Sequence, residues 1–211
     1  MCRRTCDFTN QISVLVGLEE RLFLVHKGII SAKSRFFAAA CSERWIEGKE
    51  KNVRLPDVDA SVFQSYLAWV YSGKLDVTCF SSNFVDEETP GGARNVAKYL
   101  ELYLLGDALD DIRLRNKVLQ TLVLDTESLP CPETVRRVWE NTLDNSLVRR
   151  MMVDRVTLRG KRTYLLKNLA KYPEGFVQQV AAALLQEVPK KDQEIFKAKL
   201  PSYLEPVEPV D

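Results

Sequence analysis

The apolar positions change their period along the chain. Gln11 to Val16 (QISVLV) is β-branched and apolar and stops at Gly17, and Arg21 to Val25 (RLFLV) is a second short apolar run. The polar link Gly17 to Glu20 between them predicts an antiparallel hairpin. From Ile29 to Cys41 the spacing turns helical, through Ile29, Ile30, Phe36, Phe37 and Ala40, with Ser31 and Ser34 marking a break between two short helices. Asn52 to Leu55 reads as a third strand closed by Pro56-Asp57. Asp59 and Ser61 are both good N-caps for the stripe that follows. That stripe, Val62, Phe63, Tyr66, Leu67, Trp69 and Val70, predicts a helix buried along one side and ended by Ser72-Gly73. Leu75 to Val77 reads as a last short strand, and Ser81 to Gly92, with its proline, Gly-Gly pair and consecutive acids, as an exposed loop.

Beyond that loop the pattern is helical throughout. Val96 to Leu109, Ile112 to Leu124, Glu133 to Leu143, Leu147 to Val156 and Phe176 to Leu185 each carry an apolar face. The tail, residues 201–211, contains three prolines and reads as irregular. Strands and short helices followed by a run of helices predict an α+β core with an all-helical extension. The expected organisation is a flexible N-terminus over 1–10, a mixed domain over 11–125, a helical extension over 126–200 and the tail.

Composition adds boundaries to this picture. Of 211 residues, 45% are apolar and 28% charged, which is enough to build a packed core. No apolar run approaches the roughly 18 residues of a membrane span. MCRRTCDFTNQ has no apolar stretch behind its arginines, so no secretory signal is expected. Five scattered cysteines without a CxxC pair suit reduced thiols, as in cytosol or nucleus, better than a disulfide framework. With one histidine and no second cysteine pair, no metal site is expected from Cys2 and Cys6. No phosphate-binding glycine loop, GxSxG or catalytic-cysteine context accompanies His26, so no catalytic residue, no cofactor and no enzymatic activity are expected. His26 reads as a buried histidine satisfied by a backbone partner.

Charge is unevenly spread. Arg149, Arg150, Arg155, Arg159, Lys161, Arg162, Lys167 and Lys171 face only Asp154 between Arg149 and Lys171. That is a local +7 in a chain whose net charge is +1. Such a segment is a candidate patch for an acidic partner or nucleic acid. A solvated helix face is the favoured reading, because no aromatic interleaving accompanies it.

With these elements placed, LFLVHKGIISAKSRFF, VRLPDVDASVFQSYLAWVYSGKL and YLELYLLGDALDDIRLRNKVLQTLV resemble successive blocks of the BTB/POZ domain family. The rest, with Val138-Trp139-Glu140-Asn141-Thr142, is similar to the helical extension of fungal single-BTB proteins. The resemblance implies a small sheet packed against a cluster of helices, with Phe36, Phe37, Phe63, Trp69 and Tyr71 supplying aromatic core. It implies protein partners rather than a membrane, with nucleic acid the least favoured.

Two partner classes follow from the family. Cullin-binding members carry a hydrophobic-x-Glu motif before the third strand, where this chain has Trp45-Ile46-Glu47, and such members serve ubiquitin ligases as substrate adaptors. The alternative for these residues is Trp45 folded back on the domain and Glu47 solvated. Other members self-associate as scaffolds. Here Gln11 stands where the family's repressor pocket has an Asp beside the basic residue matching Lys27, so recruitment through that pocket is not expected.

Overall fold

The structure, a computed structural model, describes residues 9–42, 51–80, 91–124, 128–159, 162–185 and 193–206. Two strands, β1 (Gln11–Val16) and β2 (Arg21–His26), form the predicted hairpin, with Gln11 opposite His26 and Val16 opposite Arg21. Gly17 (φ 77°) and Glu20 (φ 49°) supply the left-handed backbone that the turn needs. A third strand, β3 (Asn52–Leu55), runs parallel to β1, giving the order β2-β1-β3. Period-two alternation puts Ile12, Val14, Val16, Val25, Val53 and Leu55 on the buried face.

That face is covered by short helices. Helix α1 spans Lys27–Ser31 and α2 spans Arg35–Ala40. The Ser34 hydroxyl caps α2 by accepting the Phe37 N–H and donates to the Leu109 carbonyl at 2.5 Å. Helix α3 (Ala60–Ser72) starts where Asp59 accepts the N–H groups of Ser61 and Val62, and it ends at Gly73 in the left-handed conformation. Its Phe63 meets Phe23 of β2 edge to face, 5.1 Å between centroids, and approaches Phe37 and Tyr66. The predicted α+β core is therefore present, with the aromatic burial where the stripe puts it.

The chain divides into two compact units. One comprises Met1–Ser81, Leu105–Arg115 and Val207–Asp211, and the other Ser82–Leu104 and Asn116–Pro206. Of the described residues read from sequence as part of the mixed domain, 91–104 and 116–124 fall in the second unit by this division. In order, α4 is Gly91–Ala108, α5 Ile112–Leu124, α6 Pro132–Asn141, α7 Leu147–Arg159, α8 Arg162–Asn168, α9 Glu174–Leu185 and α10 Gln193–Ala198. In the second unit, Trp139 of α6 and Tyr172 pack on Phe176 of α9, at 5.1 and 5.0 Å.

Several expectations are corrected. Leu75–Val77 forms no strand, because the Asp76 carboxylate accepts both the N–H and the hydroxyl of Thr78. That local turn competes with a sheet ladder, and the same bonds hold the Asp76 pKa below the usual carboxylate range. Helix α6 stops at Asn141, which leaves Leu143 exposed rather than on an apolar face. The start of the tail is ordered: Leu200–Tyr203 is a 3-10 turn, Tyr203 is buried against Phe196, and its hydroxyl donates to Asp154 at 2.5 Å. Asn116 then holds Glu205 through both its N–H and its carbonyl, each at 2.9 Å. Gly91 and Gly92, read as loop, open α4.

In the first unit, one buried carboxylate carries an unusual load. Asp111 is fully buried, accepts the Trp69 indole N–H at 3.1 Å and caps α5 through the Leu114 N–H at 2.9 Å. Burial raises its pKa against the pull of those bonds and of Lys33. Its native form therefore holds the proton more tightly than the unfolded chain does. Asp111's contribution is fully present in acid below the ordinary carboxylate range and is lost as pH rises through the raised native value. Asp111→Asn, which does not titrate, removes this slope. Urea unfolding across pH is expected to show the wild type's stability relative to Asp111→Asn falling as pH rises. Asp111→Ala, which orphans the indole and the helix N-terminus, should cost about 2–4 kcal/mol.

Candidate interaction surface

Four groups of residues can be placed as candidate contact surface. Trp45, Ile46 and Glu47 lie outside the described residues; their flanks are α2, ending at Ala40 with Cys41 as its cap, and β3, beginning at Asn52.

The second group surrounds His26. Its backbone N–H donates to the Tyr71 hydroxyl at 3.1 Å, and the same hydroxyl lies 2.8 Å from Nδ1. The hydroxyl oxygen accepts from the N–H, and its direction toward Nδ1 follows the ring tautomer. The Gln11 amide sits 3.4 Å from Nε2. The histidine is thus half-buried and bonded to a side chain, where the sequence suggested burial and a backbone partner. Tyr71 is spent on this bond at 48% exposure, so it is not core, and Phe36 also lies at the surface. Gln11 opens β1 and Lys27 follows β2 as the first residue of α1, with no carboxylate at position 11.

The basic segment makes up the third group, and it is not one patch. Arg149 is 5% exposed and its guanidinium donates to the Trp139 and Thr142 carbonyls, to the Thr142 hydroxyl and to Asp144, while stacking 5.0 Å over the Trp139 ring. Arg155 is 1% exposed and donates to the Leu122 and Ser128 carbonyls. Both therefore close helix C-terminal carbonyls that would otherwise be unpaired. Arg150 lies over the Tyr203 ring at 5.8 Å. Lys167 and Lys171 are exposed; Lys161 and the side chains of Arg159 and Arg162 lie outside the described residues.

The last group was missed from sequence. On the outer face of the sheet Leu22 and Leu24 are 56% and 62% exposed, next to Leu18 at the turn. The available signal was that RLFLV is apolar at consecutive positions. In a sheet covered on one side such a strand must expose alternate leucines.

Among the described residues no cluster of His, Cys, Asp and Glu could hold a metal, and no helix is long and apolar enough to cross a membrane. Cys41 is buried, which pushes its thiol pKa up, with Ser31 and Lys27 opposing.

Comparison with known proteins gives a match to the BTB/POZ domain model over residues 3–117. The mouse "GDNF-inducible zinc finger protein 1" is 27% identical over 129 residues, covering 61% of this chain and 16% of that protein. The Xenopus tropicalis "Kelch-like protein 40" is 29% identical over 72 residues, covering 34% of this chain and 12% of that protein. The chain therefore spans only a small part of the length of either relative.

The placement of the arginines sets their response to mutation. Arg149→Ala leaves buried carbonyls unpaired and should cost about 2–4 kcal/mol in chemical denaturation, with Arg149→Lys rescuing little because an ammonium cannot span the same fork of acceptors. The exposed Asp144 contributes little of this, since its carboxylate is 97% exposed. Lys171→Ala is expected to be silent in the same assay, within about 0.5 kcal/mol.

Proposed function

Since the chain belongs to the BTB/POZ domain family, whose domains are protein-interaction modules, we propose that it is a substrate adaptor for a cullin-RING ubiquitin ligase. Trp45, Ile46 and Glu47 are the contact residues in this reading, and what supports it is the family match together with their position in the sequence ahead of β3. They belong to the segment that links α2 to β3, and β3 lies where the sequence pattern put it. A planar indole buries much area with little lost rotamer entropy, and Glu47 supplies a carboxylate for charge-assisted bonds at the rim. Client capture falls to the helical extension, whose exposed leucines Leu166 and Leu169 lie beside Lys167 and Lys171.

A second reading, a self-associating scaffold without a ligase role, is favoured by the exposed Leu22 and Leu24 on the sheet. Nucleic-acid binding through the basic segment is weakened as a reading, because Arg149 and Arg155 spend their charge inside the protein.

Pull-down with a cullin N-terminal domain tests the adaptor role. Wild type is expected to be retained and Trp45→Ala/Glu47→Lys to bind about tenfold or more weakly. Folded wild type that fails to bind would end this assignment.

A further inference from the structure

The hydrogen-bond register fixes which backbone groups of β2 face outward. Lys27 N–H donates to the Asn10 carbonyl at 2.9 Å, so within the β1–β2 register residues 21, 23 and 25 of β2 bond to β1. From the other side, Ser13 N–H donates to Lys51 and Gly17 N–H to Leu55, so the odd residues of β1 face β3 and its even residues face β2. Leu22, Leu24 and His26 therefore direct their N–H and C=O groups away from the sheet. The His26 N–H is taken by Tyr71. Among the described residues no strand lies beyond β2 and no hydrogen bond closes the outward groups of Leu22 and Leu24. Protein edges are normally blunted by proline, bulges or charge; this one presents two half-exposed leucines instead.

The strand is also complementary to itself. With its flanks it reads Glu19-Glu20-Arg21-Leu22-Phe23-Leu24-Val25-His26-Lys27: two acidic turn residues before Arg21, an apolar centre, and Lys27 opening α1. We propose that β2 is a homodimer edge, pairing antiparallel with β2 of a second copy of this chain about a two-fold axis at Phe23. In this register Leu22 of each copy bonds to Leu24 of the other through both N–H and C=O. The four leucines meet on the outer face, and Phe23 meets its equivalent on the inner face. Glu19 and Glu20 of one copy then flank Lys27 and His26 of the other. Neighbouring registers are poorer. Centring on Leu24 or on Leu22 leaves one outward-facing pair clear of the His26 N–H that Tyr71 occupies and of Glu20, whose backbone is left-handed at φ 49°, whereas centring on Phe23 leaves two. The product is one continuous sheet in the order β3-β1-β2-β2-β1-β3. A contact this small gives a weak, reversible dimer.

This inference rests on the self-association reading and not on the cullin role. Sedimentation velocity on the full chain, over a micromolar to millimolar series, tests it. Glu19 is the charge to vary, since Glu20 already lies 3.5 Å from Arg54. Wild type is expected to move from monomer to dimer. Glu19→Lys and Lys27→Glu, each of which sets like charges together twice per dimer, are expected to weaken it about tenfold. An equimolar mixture of the two variants is expected to recover dimer, because every flanking contact is then between opposite charges. Leu24→Lys, with an unchanged circular dichroism spectrum and melting temperature, is expected to stay monomeric. Wild type that stays monomeric overturns the proposal. So does a dimer indifferent to the charge reversals, which leaves self-association standing through another face. Cullin capture measured on the same samples reads the adaptor role separately.

Discussion

A carboxylate with no access to water organises the first unit. Burying an ionised carboxyl is costly unless the bonds it makes replace its hydration. Asp111 meets that requirement in part, its pKa staying raised, by joining two elements distant in sequence, the indole of Trp69 on α3 and the first turn of α5. Ser34 does the neutral version of the same thing, capping α2 while binding the Leu109 carbonyl two residues upstream. The turn at Leu109 to Asp111 is thereby tied to α2 and α3, and α3 in turn presents Phe63 to the sheet. Hydrophobic burial drives this assembly, and the two polar side chains select which helix faces which.

A small sheet covered on one side leaves its other side to be accounted for. β1 and β3 solve this in part by alternation, placing Ser13, Asn52 and Arg54 outward together with the half-buried Leu15. β2 does not, because leucines occupy both outward positions between Arg21 and His26. Tyr71 closes one outward backbone donor of this strand and stops there. The apolar side chains and the open backbone groups thus coincide at Leu22 and Leu24, and that coincidence is what distinguishes an interaction edge from scattered surface leucines.

The fold was largely legible because its signals are local. The hairpin, the Asp59 cap, the Gly73 stop and the stripe from Val62 to Val70 each follow from a few neighbouring residues, and the structure places all of them as read. What failed needed knowledge of distant partners. Tyr71 reads as core by residue type, yet its hydroxyl is drawn to His26, 45 positions away. Leu75–Val77 has strand-like residues, but the Asp76 turn intervenes. Tyr203 sits among prolines in a tail that composition calls irregular, and it is ordered by Asp154 and Phe196 from elsewhere in the chain. Of the candidate surfaces, the sequence named the segment before β3 from family resemblance alone, and it overlooked the β2 leucines because a strand's two faces cannot be told apart until its cover is known.

Formal charge proved a weak guide to surface for a physical reason. A guanidinium offers five donors in a rigid fork, which suits the unpaired carbonyls at helix C-terminal ends better than any other side chain does. Arg149 serves the end of α6 in this way, and Arg155 serves the last turn of α5 and the chain beyond it. An arginine so used is a structural cap whose charge is directed at helix dipoles and not at a partner. The +7 of the Arg149–Lys171 segment is therefore partly consumed within the fold, and what it offers outward rests on shorter stretches such as Lys167 to Lys171.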